Sequence, residues 1–154
     1  MITAIIGKAG TGKSTIAKMI APLYDKYIEA DEIVKQVYMK NDTILLFLNH
    51  KSLRKSVVNR TIDKNELIKI LLSDEKARKE LEDYVFYSAI LPIVYLAKLD
   101  NISLLVDGIL PRFSYYFDQV INIKIIDDIR KQNLKKRGVS EERIEELFEL
   151  QKDM

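Results

Sequence analysis

Eight residues near the N-terminus carry the sharpest chemistry in the chain. Gly7-Lys8-Ala9-Gly10-Thr11-Gly12-Lys13-Ser14 fits the pattern G-x-x-x-x-G-K-[ST] in full. Glycines at that spacing let the backbone curl until successive N–H groups converge on one point, which suits the oxygens of a phosphate. A helix that starts near Lys13 would aim the positive end of its dipole at the same point. In such a loop Lys13 can bridge the β- and γ-phosphates of a nucleoside triphosphate, and the Ser14 hydroxyl can ligate Mg²⁺. Gly10, Thr11, Gly12, Lys13, Ser14 and Thr15 are therefore the expected nucleotide-binding residues. The competing reading is a glycine turn that contains Gly-Lys-Ser by chance.

Two further groups could serve a triphosphate. Asp107 closes an apolar run, where a carboxylate can hold Mg²⁺ through water. Asp107-Gly108 is also a strong turn dipeptide, so turn chemistry explains it equally well. Arg130, Lys131, Lys135, Lys136 and Arg137 make a basic helix. As a lid over about residues 127–140 it would neutralise charge on a transferring phosphoryl group, with Arg137 the first choice. The alternative is a solvated face that complements the helix dipole.

The elements that must hold these groups alternate strand and helix. Residues 2–6 read as a strand buried on both faces, as in a parallel sheet. After the loop, Ile16, Met19, Ile20 and Leu23 mark one helical face, which Pro22 ends or kinks. Residues 27–29 form a short strand, and Asp31 suits the N-cap of a helix over 32–39. Asp63 suits the cap of a helix over 66–72, and a longer helix follows to Lys98, kinked at Pro92. Residues 102–106 and 120–126 are the third and fourth strands. Asp127 or Asp128 caps the basic helix, which stops at Gly138, and Ser140 caps the last helix. The expectation is an α/β fold: a three-layer P-loop sandwich, with a short parallel sheet and a helical insert over about 40–98, in one domain spanning 1–154.

Composition narrows the class. The chain has 154 residues, 25 Lys+Arg against 23 Asp+Glu, and no cysteine. Disulfides, thiolate metal sites and cysteine nucleophiles are excluded. The charge is too balanced to argue for nucleic acid as a partner. The longest apolar runs fall far short of the ~20 residues of a membrane helix. A soluble cytoplasmic protein with no membrane partner is the default, and oligomeric state is not legible. The guanine motif N-K-x-D of G-proteins is absent, so a small phosphotransferase remains.

Tyr27-Ile28-Glu29-Ala30-Asp31-Glu32-Ile33-Val34-Lys35 resembles the (V)-I-D-A-D-E-I-A-R stretch of the dephospho-coenzyme A kinase family. Thr61-Ile62-Asp63-Lys64 through Leu67 is similar to that family's L-D-R-x-x-L segment. Residues 120–138, then Ile144 and Gln151, are similar to its lid helix and R-I-x-x-Q helix. The departures are specific. Glu29 stands for the first aspartate of D-A-D, Phe86-Tyr87 for a His-Pro pair, and Asn133 near one lid arginine. The chain stops at Met154 where the family continues, which implies a shortened C-terminus.

The resemblance implies an ATP- and Mg²⁺-dependent kinase that phosphorylates the 3′-hydroxyl of dephospho-CoA, the last step of coenzyme A synthesis. It further implies that Asp31 takes the acceptor's proton, a role compatible with capping. Glu29 would aid Mg²⁺ or simply face water. The basic stretch Lys51, Arg54, Lys55, Arg60 and Lys64 would help hold the substrate, or be a charged insert with no ligand. His50, the one histidine, has no role. Other readings stay open: a shikimate- or gluconate-type kinase, a nucleoside or nucleotide kinase, or a nucleotide binder without catalysis.

Overall fold

A computed structural model describes all residues, Met1–Met154. They divide into two compact units, one formed by Met1–Ala30 with Leu91–Met154, the other by Asp31–Ile90. The second unit begins and ends earlier than the insert expected over 40–98.

The first unit is built on a sheet of four parallel strands, β1 (Ile2–Gly7), β2 (Lys26–Glu29), β5 (Leu104–Asp107) and β6 (Gln119–Ile123), in the order β2-β5-β1-β6. β1 and β5 are buried along their whole length. That is why both read as unbroken apolar runs rather than alternating ones. The third and fourth strands end at Asp107 and Ile123, where 106 and 126 were expected. α1 (Lys13–Ile20) follows β1 and packs Ala17 against Ile5 and Leu105. Pro22 falls in a 3-10 turn at Ala21–Leu23, so the helix stops ahead of it.

β1 and β5 lie side by side, yet β1 leads on to β2 at one edge and β5 to β6 at the other. In open parallel sheets the crevice beyond the carboxyl ends of such a strand pair is where ligands bind. Gly7 and Asp107 both lie at those ends. α6 (Leu91–Leu99) precedes β5, and α7 (Asp127–Lys136) and α8 (Glu141–Leu150) follow β6. Ser140 caps α8, its side chain accepting from the Arg143 amide, as the sequence suggests. Asp127 and Asp128 do not cap α7. Ile126 holds that position, and both aspartates fall in the first turn, where they still favour the dipole. No helix is long and apolar enough to cross a membrane.

The second unit contains α2 (Ala30–Tyr38), which starts at the unit boundary, α3 (Asn41–Leu48), α4 (Lys64–Ser73) and α5 (Glu75–Val85). Between α3 and α4 a two-strand hairpin pairs β3 (Val57–Val58) with β4 (Thr61–Ile62). Its turn residues Asn59 and Arg60 both take positive φ, 49° and 62°, as a type I′ turn requires. Asp63 caps α4 through the amides of Asn65 and Glu66, and Asp74 caps α5 through Ala77. Phe47, Leu53, Leu67, Leu81 and Phe86 are buried. His50 is structural here: its Nδ1 accepts from the amides of Ser52 and Leu53, and its Nε2 meets Glu80 at 2.8 Å. Burial, helped by the Glu82 charge, pushes the Tyr38 phenol up to about 12.

Two expectations need correction. The break expected at Pro92 lies ahead of it, in a π-helical turn over Phe86–Ile90 that leads into α6. Proline offers no N–H and crowds the carbonyl one turn back, and the wider turn absorbs that mismatch. Asp31 is not an N-cap either. α2 starts at Ala30, which puts Asp31 within its first turn, exposed.

A candidate active site at the phosphate loop

The loop between β1 and α1 is curled as its glycines require. Gly10 and Gly12 have φ of 82° and 79°, a region that L side chains avoid. Thr11 turns the chain back on itself, its amide reaching Lys8 O at 3.3 Å and its hydroxyl the same oxygen at 2.9 Å. The Thr11 amide is thus committed within the loop. The amides of Gly12, Lys13, Ser14 and Thr15 have no main-chain acceptor. They are the free donors of a helix start, as an anion site needs.

The half-buried Lys13 side chain runs over two glycines. A Cβ placed on Gly7 would meet its Cδ at 3.5 Å, and one on Gly108 its Cε at 3.9 Å. Gly7 ends β1 and Gly108 follows β5, so the lysine stem lies across the carboxyl ends of the two central strands. Gly108 itself has φ of 96°.

Ser14 and Asp107, expected to share a metal, are brought together. Ser14 Oγ donates to Asp107 Oδ2 at 2.9 Å. With its proton given to the carboxylate, the serine oxygen keeps its lone pairs for a cation. Asp107 is 4% exposed, and its Oδ1 is buried with no hydrogen-bond partner. A buried carboxylate oxygen with no donor is costly unless something positive meets it. A hard divalent cation prefers oxygen donors of this kind, so the pair fits Mg²⁺.

Tyr27 and Glu29 complete the cluster. Strand register sets Glu29 beside Asp107 on neighbouring strands. Tyr27, two residues earlier on the same face, shares its one hydroxyl proton between Asp107 Oδ2 at 3.2 Å and Glu29 Oε1 at 3.3 Å. Burial first, then the charges of Asp107 and Glu29, push its phenol far above the usual tyrosine range, so it is a hydrogen-bond donor at any working pH. Glu29 does not simply face water. The sequence reading passed over Tyr27, although a tyrosine two places before a glutamate on a strand shares its face by period alone.

α7 and α8 grip the loop from outside. Arg130 Nε donates to Ala9 O at 2.9 Å, Asn133 Nδ2 to Gly10 O at 2.8 Å, and the Ala9 amide to Gln151 Oε1 at 2.7 Å. Arg130 is 3% exposed, stacks on Phe148 at 4.0 Å and pairs with Asp127. Of the basic helix, then, Arg130 touches the loop. Arg137 sits at the C-cap of α7, exposed and with no side-chain partner. Helical spacing offered a signal for this: Arg130 and Leu134 are four apart and both turn inward. Asp31, the expected proton acceptor, is the first residue of the second unit.

A curled glycine loop after a central parallel strand, with a carboxylate on the neighbouring strand end, is the architecture of P-loop kinases. No family model matches the chain. It is 26% identical to the dephospho-CoA kinase of Wolbachia pipientis wMel, over 98% of this chain and 80% of that protein. It is 27% identical to that of Aquifex aeolicus, over 96% and 78%. A cytidylate kinase of Sulfurisphaera tokodaii is 31% identical, over 66% of this chain and 64% of that protein. The structure of TT1252 from Thermus thermophilus superposes with a TM-score of 0.68 at 20% identity, covering 94% of this chain and 76% of that one. Over nearly its whole length the chain is thus similar to dephospho-coenzyme A kinases.

Proposed function

We propose that the chain transfers the γ-phosphoryl group of ATP to a hydroxyl of a small molecule, and that this hydroxyl is the ribose 3′-OH of dephospho-CoA. The observation that carries the reading is the Ser14–Asp107 pair beside a row of free loop amides. The named relatives support the acceptor.

In this mechanism the amides of Gly12 to Thr15 hold phosphate oxygens, and Lys13 spreads the charge that builds during transfer. Ser14 would hold Mg²⁺ directly and Asp107 through its free oxygen, and the ion neutralises charge on the phosphates when bound. The acceptor oxygen forms its bond to the γ-phosphorus as the β–γ bridging bond breaks, and ADP leaves. Asp31 takes the hydroxyl proton. Arg137, exposed and with no partner of its own, neutralises charge on the transferring group, while Arg130 stays on the loop.

The cytidylate kinase relative favours a second reading, in which the acceptor is a nucleoside monophosphate. A coupled ADP-release assay across an acceptor panel separates the two. Stimulation by dephospho-CoA alone is the expected result, and stimulation by CMP alone supports the second. ATP binding with no acceptor-stimulated turnover overturns both in favour of a nucleotide sensor.

A further inference from the structure

The cluster beyond the strand ends poses an electrostatic problem. Glu29 and Asp107 face each other across neighbouring strands, and Asp107 is almost wholly buried. Two like charges so placed repel, and the repulsion is strong where water is scarce. One phenol hydroxyl bridges them, 3.2 Å from Asp107 Oδ2 and 3.3 Å from Glu29 Oε1. Ser14 donates to the same Oδ2. Both donors to the Asp107 carboxylate therefore sit on Oδ2, and Oδ1 is left bare. Rotation of the carboxylate would break two hydrogen bonds at once.

From this geometry we propose that Tyr27 is a positioning residue for the metal that accompanies the nucleotide: its hydroxyl bridges Asp107 to Glu29 and keeps Asp107 Oδ1 presented to the cation. Tyr27 touches neither metal nor substrate. It acts through Asp107, as outer partners of metal-binding carboxylates do. The inference rests on the nucleotide-site reading above and is independent of the acceptor. It assigns Tyr27 no part in nucleotide binding without metal.

The test is Tyr27→Phe, which removes one oxygen and keeps the ring. Mn²⁺ binding to protein loaded with a non-hydrolysable ATP analogue is followed by electron paramagnetic resonance. Metal-free binding of the same analogue is followed by calorimetry. The expected result is a Kd for Mn²⁺ raised roughly tenfold or more, with metal-free affinity unchanged. Equal Mn²⁺ affinity in variant and wild type overturns the inference. So does an equal loss of both affinities, which reduces Tyr27 to general support. A wild-type protein that binds no metal–nucleotide complex overturns the kinase reading along with it. A second measurement needs no variant: the ¹³Cζ resonance of Tyr27 in the nucleotide-loaded wild type moves when Mg²⁺ is added. A resonance that stays in place overturns the inference.

Discussion

Gly10→Ala and Gly12→Ala, two changes of one methyl group within the same loop, should differ in cost. Both glycines have positive φ, 82° and 79°, so alanine at either pays the left-handed penalty of roughly 1–2 kcal/mol. Both also lose unfolded-chain freedom, which returns about 0.4–1 kcal/mol. The environments then part. A Cβ at Gly12 meets nothing within 4 Å, whereas one at Gly10 would lie 2.5 Å from the carbonyl oxygen of Arg130. That oxygen is helix backbone and cannot swing aside like a flexible side chain. Either α7 or the loop must move, an overpacking cost of about 1–3 kcal/mol. In a chain of this size that is a further drop in Tm of roughly 2–12 °C for Gly10→Ala beyond Gly12→Ala. Calorimetric scans of the ligand-free proteins read it. Equal melting temperatures, or a lower one for Gly12→Ala, would refute the close apposition of loop and helix.

Other outcomes follow from the same geometry. Lys13→Ala should lose most turnover in the ADP-release assay yet keep its circular dichroism spectrum, since the lysine has no ion-pair partner. Asp31→Asn should depress kcat more than ATP affinity; an equal loss of both would return Asp31 to a structural role. Gln151→Ala leaves the Ala9 amide without its acceptor, costs about 0.5–1.5 kcal/mol, and weakens ATP binding measured by calorimetry, although residue 151 is outside the loop. Asp74 is held below its ordinary value of 3.8, first by the Ser52 hydroxyl and then by the Ala77 amide. A depressed carboxyl stabilises the fold above its unfolded pKa, and that contribution is lost as pH falls through the lower, folded value. Asp74→Asn should therefore flatten the acid limb of a Tm-against-pH profile.

Local signals in the sequence were read well. The glycine spacing, the four apolar strands and the Asp63 and Ser140 caps all depend on residues a few positions apart, which periodicity and capping rules address. Asp107 was legible as a metal candidate or a turn residue, and its contact with Ser14 comes only from the structure. The pattern fails where the deciding contact is distant in sequence. Charge alone does not tell which of five basic residues meets a loop more than a hundred residues earlier; the spacing of Arg130 with buried Leu134 is the signal, and Arg130 is the one on Ala9. Tyr27 has one partner, Glu29, on its own strand and another, Asp107, eighty positions away, which no local pattern supplies. Asp31 as a cap failed for a smaller reason, the uncertainty of helix starts by one or two residues.

The brace on the loop also bears on how the protein is made. Gln151 is synthesised 142 positions after the Ala9 amide that it accepts from. β1 likewise waits for residues 104 and 119 before either neighbour exists to pair with it. At translation speeds of roughly 5–20 residues per second, the N-terminal segment spends several seconds without its partners. Contacts this far apart also carry a large loop-closure entropy, which slows folding. A nascent chain thus carries the complete glycine motif long before it carries the residue that braces it.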